Sequence, residues 1–210
     1  MKVLVVLFIT FFYNAVHAQT DTIVDIRDGQ KYSTVVIGNK IWFREHLRYK
    51  TKLSYCSILS KNTNECIKGN YYLNQELDSI CPKGWHVTTI DEWEYYINIL
   101  LRKSGISKDS LKLVNLPPQK TIIAAAQKNI NILEDSALNL IPRGWVEGKK
   151  IMHIKGLNLW IVDKRTNDKK FHLHGGELGY AIHSHTHHII DKPRRIRMFN
   201  VRCVCDLKDK

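Results

Sequence analysis

The sequence predicts an α+β domain, with short antiparallel strands around one or two helices. Short alternating or apolar runs occur near the start, one strongly amphipathic segment follows in the middle, and further short runs lie towards the end. Strands and helices that are segregated along a chain in this way favour an α+β domain over an alternating α/β one. Because no internal repeat or low-complexity linker interrupts residues 19–210, we expect a single domain there.

The strands are predicted from turn signals and short apolar runs. Asp28-Gly29 and Gly38-Asn39 are dipeptides typical of tight turns. Val36-Ile37 and Ile41-Trp42 flank the second dipeptide, which indicates a β-hairpin. Later in the chain, runs divided by Gly, Pro, Asn or Asp predict further strands within 138–151, 157–164, 169–174, 179–190 and 196–206.

The clearest helix is predicted to begin just after Thr89. Thr89 and Glu92 have the spacing of a capping box, in which each side chain accepts a hydrogen bond from the other residue's backbone amide. Gly105 is a typical stop signal, and a second helix is predicted over 119–129 from its alanines. The apolar face of the first helix consists of Trp93, Tyr96, Ile97, Leu100 and Leu101.

The first residues have the features of a secretory signal peptide. Lys2 precedes an apolar run over 3–13, and Val16-His17-Ala18 resembles a small-residue cleavage site, so we expect residues 1–18 to be removed. A membrane anchor is the alternative, but it needs about 20 apolar residues and this run has roughly half that. We therefore expect a secreted or cell-envelope protein without a transmembrane segment.

The composition bears on disulfides and on partners. Five cysteines in an exported chain allow at most two disulfides, whose connectivity the spacing alone leaves open. The net charge of +12 favours an acidic glycan or cell-surface polymer as partner, and a merely lysine-biased surface is the alternative. Nucleic acid is difficult to reconcile with export.

Five motifs follow one another along the chain: TVVIGNKIWFREHLRY at 34–49, GNYYLN at 69–74, CPKGWHVTTIDEW at 81–93, LNLIPRGWVEGKKI at 138–151 and FNVRCVCD at 199–206. Together, and in this order, they resemble the motifs of the Fibrobacter succinogenes major paralogous domain family. The resemblance implies a secreted or surface-displayed bacterial protein with a C-type-lectin-like fold, related to the formylglycine-generating enzyme domain; most of that family has no established activity. His46 stands where the family has asparagine, and Val87-Thr88 replaces a proline-threonine pair.

The resemblance also implies a disulfide between Cys81 and Cys203. Cys56 and Cys66 then remain to close a short loop, and Cys205 is left over, either buried or as a reactive thiol. The formylglycine-generating relatives hold copper with a cysteine pair near the chain end. Because this chain offers only Cys203 and Cys205 there, and the first is assigned to a bridge, copper-dependent oxidation is disfavoured.

Motifs for catalysis are absent from the sequence. It contains no GxSxG, HExxH or P-loop motif, and none of the EPN, QPD or WND tripeptides of calcium-dependent lectins, so calcium has no support. We interpret His86 as a core histidine rather than a base. We also interpret the tryptophans as core residues rather than a sugar-stacking surface. A non-catalytic binding module is the favoured function.

A histidine-rich segment is the strongest candidate for a metal site. In a hairpin with an even-numbered loop around GGELGY, five histidines share one face and are close enough to bind zinc, nickel or copper(II). The alternatives are a solvated strand face, a pH-responsive surface, or a metal-dependent hydrolase in which Glu177 supplies the acid or base. The five candidate ligands are His172, His174, His183, His185 and His187.

A basic run near the end of the chain is the second candidate site. Arg194, Arg195 and Arg197, with Lys192 and Arg202 nearby, could bind carboxylates or phosphates. The alternative is a strand edge protected from pairing by charge. Since consecutive residues of a strand point to opposite faces, only part of this run can form one patch.

Overall fold

The computed structural model describes residues 20–56, 65–103, 122–125, 137–148, 150–164, 169–176, 179–184 and 196–209. Only the backbone is described at 20, 65, 101, 122–125, 169–176, 179–184 and 209. The expected signal peptide, residues 1–18, lies outside these ranges. Within them, no helix has the length and apolar character needed to cross a membrane.

Antiparallel strands and one α-helix form the regular structure of the described residues, which confirms the α+β class. The helix, α1, spans Ile90–Lys103. The strands are β1 Thr20–Val24, β2 Lys31–Ile37, β3 Lys40–Phe43, β4 His86–Val87, β5 Ile122–Ala125, β6 Trp145–Glu147, β7 Lys150–Met152, β8 Leu157–Asp163, β9 Lys169–Gly176, β10 Gly179–Ser184, β11 Arg197–Met198 and β12 Cys203–Asp206.

The strands of the described ranges form three sheets. Their orders are β1-β2-β3-β12-β4, β5-β10-β9-β8 and β11-β6-β7. Strand β12 lies between β3 and β4, so the end of the chain occupies the interior of the first sheet. The hairpin at Gly38-Asn39 is confirmed, since Ile37 pairs with Lys40 and Gly38 adopts a positive φ of 63°.

Strand β8 lies at the centre of the core, because all seven of its residues are buried. On the side away from β9, the backbone N–H of Trp160 donates to the carbonyl of Asn200 at 2.9 Å. Leu159 and Ile161 pack in a cluster with α1, whereas Trp160 belongs to a second cluster that surrounds the Cys81–Cys203 disulfide. The strand therefore separates two apolar layers.

Helix α1 begins and packs as its sequence predicts. The Thr89 amide donates to Glu92 Oε2 at 2.8 Å, and the Glu92 amide donates to Thr89 Oγ1 at 3.3 Å, which confirms the capping box. The predicted stop at Gly105 lies outside the described residues. The buried apolar side chains, packed against residues of β2, β3 and β8, are Trp93, Tyr96, Ile97 and Leu100.

The predicted second helix over 119–129 is wrong where the structure describes that segment. Ile122–Ala125 forms strand β5, which pairs with β10 in an antiparallel register that sets Ile122 opposite Ile182. Alanines favour a helix, but the β-branched residues Ile122 and Ile123 suit a strand, and pairing with a distant strand overrides the local preference. The rest of the segment lies outside the described residues.

The disulfides follow the pairing that the resemblance implies. Cys56 is joined to Cys66, and Cys81 to Cys203, with sequence separations of 10 and 122. Cys205 belongs to neither disulfide and is buried, so the alternative of an exposed reactive thiol is wrong. The second bridge ties the segment before α1 to the interior strand β12.

The tryptophans serve the core, as predicted. Trp42, Trp93 and Trp160 are fully buried, and the rings of Trp42 and Trp93 meet edge to face with centroids 5.4 Å apart. Trp85 and Trp145 are partly buried against the cluster around the Cys81–Cys203 disulfide. Little tryptophan surface is thus left to stack on a sugar.

Candidate functional site

His86 and Glu92, both in the CPKGWHVTTIDEW motif, form a charged cluster at the start of α1. Glu92 Oε1 lies 2.9 Å from His86 Nε2 and 3.2 Å from Lys40 Nζ, and Lys40 also contacts Asp206 Oδ1 at 2.8 Å. Burial alone would raise the pKa of the Glu92 carboxyl, but hydrogen bonds from His86 and Thr89 and the charge of His86 lower it to about 2. The His86 side chain is partly exposed, and its contact with Glu92 stabilises the start of α1.

Replacing Glu92 by glutamine is expected to destabilise the fold by about 2–3 kcal/mol at pH 7, because its pKa is lowered from an ordinary value of 4.5 to about 2. Because the carboxyl pKa of Glu92 is lower in the folded state, the ionised group stabilises the fold fully above the unfolded pKa of 4.5. This contribution is lost as the pH falls from 4.5 towards 2. Urea unfolding at pH 7, 4.5 and 3 measures both effects. The wild-type chain is the reference and should show the full pH dependence. Identical profiles for Glu92→Gln and the wild type would contradict this role of Glu92.

A second polar group is fully buried between the sheets. The Arg202 side chain has no exposed surface, and its Nη1 donates to the carbonyls of Phe43 and Leu138 at 3.0 and 2.8 Å. Its Nη2 donates to the carbonyl of Asn139 at 3.0 Å. Burial lowers the pKa of Arg202 to about 9, so the guanidinium is still charged at neutral pH. The prediction that Arg202 contributes to a basic surface is wrong, because strand alternation in the sequence does not tell which face is buried.

His46 completes this buried group. Its Nε2 lies 2.9 Å from the carbonyl of Ile141, which can only accept, so the proton is on Nε2 and Nδ1 accepts from Arg202 Nε at 3.3 Å. Burial and the charge of Arg202 hold the pKa of His46 well below its ordinary value of 6.5.

The arginine run does not form one free patch in the described residues. Arg197 Nε donates to Glu147 Oε2 at 3.0 Å, and its guanidinium lies 5.8 Å from the ring centroid of Trp145. Arg194 and Arg195 lie outside the described residues. A ligand-binding role for these three arginines therefore stays a prediction.

The histidine-rich segment forms a hairpin of β9 and β10. His172 lies directly opposite His183, and His174 lies opposite Ala181. In this register the positions 172, 174 and 183 share one face, as the sequence predicts for an even-numbered loop. His185 and His187, like Glu177, lie outside the described residues. Among the side chains that the structure describes, which exclude those of this hairpin, no group of three or more His, Cys, Asp or Glu is arranged to hold a metal.

An open cleft beside the Cys56–Cys66 disulfide is a candidate site that the sequence did not indicate. Its volume is about 610 Å³. Two of its lining residues are cationic, and none of the lining residues that the structure describes is acidic. The lining residues are Gln30, Arg48, Lys50, Ser54, Tyr55, Cys56, Cys66, Ile67 and Asn70.

Arg48 is held rigidly in the wall of this cleft. Its Nε donates to Gln30 Oε1 at 2.7 Å, and its two Nη atoms donate to Glu45 and to the carbonyl of Lys31. Its guanidinium lies 4.5 Å from the centroid of the Tyr32 ring. Asn70 Nδ2 donates to the carbonyl of Arg48 at 2.7 Å, which fixes the backbone there as well.

Three segments distant in sequence meet at the cleft, namely the one around Gln30, residues 48–56 and residues 66–70. Tyr55 and Tyr71 exchange backbone hydrogen bonds of 2.9 Å. The residue after Tyr55, Cys56, forms a disulfide with Cys66, which joins the same two segments covalently. Lys50 is exposed on the first of these segments. Arg48 and Lys50 alternate in the sequence, but such alternation alone does not mark a binding site.

Antiparallel sheets around one helix, two disulfides and a basic cleft define a disulfide-linked α+β domain. The chain belongs to the Fibrobacter succinogenes major domain family, whose family model matches residues 35–205. This confirms the resemblance seen in the motifs, and the matched region extends from β2 to β12. No curated protein and no solved structure matches the chain significantly.

Proposed function

We propose that this chain is an exported, non-catalytic binding module with a C-type-lectin-like fold, and that it binds acidic glycans in the cleft beside the Cys56–Cys66 disulfide. The two disulfides support export, since disulfides persist in oxidising compartments. The signal-like residues 1–18 supply the route. The antiparallel sheets around α1 are compatible with the lectin-like fold that the family resemblance implies.

The observation that carries this function is the charge and rigidity of the cleft. Lys50 and Arg48 are the cationic lining residues; Arg48 is paired with Glu45 behind the wall of the cleft, and none of the described lining residues is acidic. Because Arg48 is already held by Gln30, Glu45 and Lys31, little side-chain entropy is lost when a ligand binds. Its three hydrogen bonds leave part of the five-donor guanidinium for a carboxylate.

The remaining lining residues suit a sugar. Gln30, Ser54 and Asn70 carry amide or hydroxyl groups that match sugar hydroxyls, and Tyr55 brings an aromatic ring. A volume of about 610 Å³ falls within the range of small-ligand sites and is open at the surface, so it accommodates one or two residues of a longer polymer. Uronic acids combine the carboxylate and the hydroxyls that these groups recognise.

The described lining of the cleft offers no group for general acid–base catalysis. Among its described lining residues there is no histidine, aspartate or glutamate that could act as a general acid or base. Glycoside hydrolysis needs two such carboxyl groups across the scissile bond. Binding without turnover is therefore the function that this chemistry supports.

Reversing the charge of Lys50 is expected to weaken binding of hexagalacturonate at least about tenfold, the equivalent of 1.4 kcal/mol. Lys50 is exposed, so Lys50→Glu should leave the fold intact. Isothermal titration calorimetry of the mature chain measures the affinity, with cellohexaose as the neutral sugar. Binding should weaken further as sodium chloride rises, because exposed charges are screened.

The matched control is Lys83→Glu, which makes the same charge change at an exposed lysine that does not line the cleft. It should bind hexagalacturonate nearly as well as the wild type. Equal losses in both variants would mean that only overall charge matters, and the proposed cleft would be wrong. Equal affinity for cellohexaose and hexagalacturonate would exclude recognition of acidic sugars.

A further inference from the structure

The β9–β10 hairpin brings three histidines to one place in the sheet. His172 and His183 are direct cross-strand partners, and His174 lies two positions further along β9. Cross-strand partners have Cβ atoms about 4.5–5.5 Å apart, and positions two apart on a strand are separated by roughly 6.6 Å. Three histidine positions at these backbone spacings match what a three-imidazole zinc site requires.

The register of β9 against β10 places the three histidine positions on one face of the sheet. On β9 the histidine positions alternate with Phe171 and Leu173, and Leu173 lies opposite Leu159 of the buried strand β8. The histidine positions therefore belong to the other face. A shift of the β9–β10 register by one residue would move His183 to the opposite face from His172 and His174.

The two strands that carry the histidines are also well supported. In the order β5-β10-β9-β8, both β9 and β10 are interior strands, paired on either side. The outer partner β8 is buried throughout, and it sets Trp160 opposite His172 and Asn158 opposite His174. Ligands on interior strands are positioned more precisely than ligands on loops.

We propose that His172, His174 and His183 form a transition-metal site that binds zinc, nickel or copper(II). Three neutral imidazoles leave the fourth position of a tetrahedral zinc ion open to water or to a further ligand. None of these three positions lines the cleft near Lys50, and the site does not depend on glycan binding.

Titration of the folded mature chain with zinc chloride tests the site by calorimetry. We expect one zinc ion per chain, and each of His172→Ala, His174→Ala and His183→Ala should weaken zinc binding at least about tenfold. Affinity should also fall below pH 6.5, because protonated imidazoles cannot bind a metal. Cobalt(II) substitution should give the visible absorption of a four-coordinate nitrogen-rich site.

The control is His153→Asn, which removes an imidazole that lies outside the hairpin and stacks on Trp145. Asparagine tolerates the positive φ of this position. It should bind zinc like the wild type. Glutamine replacements at 172, 174 and 183 provide a second set if an alanine variant fails to fold, as judged by circular dichroism without metal. Wild-type chain that binds no zinc, or zinc binding that survives all three hairpin replacements, would overturn the proposal.

Discussion

Replacing Cys81 and Cys203 together by serine is expected to lower the free energy of unfolding by about 5 kcal/mol, because this disulfide closes a loop with a sequence separation of 122. The bridge restricts the unfolded chain, and long loops gain most from such restriction. Both sulfurs lie in the buried cluster with Trp160. Urea-induced unfolding at equilibrium, followed by tryptophan fluorescence, measures the change.

The second disulfide is the matched comparison. The loop between Cys56 and Cys66 has a separation of only 10, so its double serine variant should lose about 3 kcal/mol or less. It should also reshape the cleft and weaken hexagalacturonate binding, whereas the Cys81/Cys203 variant, where still folded, should bind normally. A larger loss of unfolding free energy for the Cys56/Cys66 variant would contradict the prediction that the Cys81–Cys203 disulfide contributes more to stability.

Replacing Arg202 by alanine is expected to cost about 3–5 kcal/mol of stability, among the largest effects of any single substitution in the chain. The guanidinium is fully buried and donates to three backbone carbonyls and to His46. Its removal leaves those acceptors without partners inside the protein and opens a cavity. Arg202→Lys should recover little of the lost stability, since a single ammonium group cannot reproduce the planar, multi-donor geometry of a guanidinium.

Arg102→Ala is the control for this prediction. Arg102 is exposed in the last turn of α1, and its loss should change the free energy of unfolding by no more than about 0.5 kcal/mol. Thermal and urea unfolding of both variants at pH 7 give the comparison. If Arg202→Ala costs no more than Arg102→Ala, the buried guanidinium does not join the segments around Phe43 and Leu138.

Local signals in the sequence predicted the parts of the fold that local physics determines. The capping box at Thr89 and the apolar spacing that follows it specify α1, and Gly38-Asn39 specifies a hairpin because few residues adopt positive φ. The alanines near Ala124 misled, since β5 exists through pairing with β10, more than fifty residues away. Such pairing leaves little trace in a short window of sequence.

Of the two candidate sites, the sequence predicted the histidine positions but not the cleft. The shared face of His172, His174 and His183 followed from alternation and an even loop, both local properties. The cleft did not, because Gln30, Lys50 and Asn70 come together only through folding and the Cys56–Cys66 bridge. No short motif marks a site assembled in this way.

Binding in the cleft is tested at residue level by an NMR titration of the ¹⁵N-labelled mature chain with hexagalacturonate. We predict saturable amide shift changes at Arg48, Lys50, Ser54 and Asn70, and none in α1 or at Lys83. Cellohexaose should cause no comparable changes. Shift changes concentrated elsewhere on the surface, or no changes at millimolar hexagalacturonate, would contradict a glycan-binding cleft beside the Cys56–Cys66 disulfide.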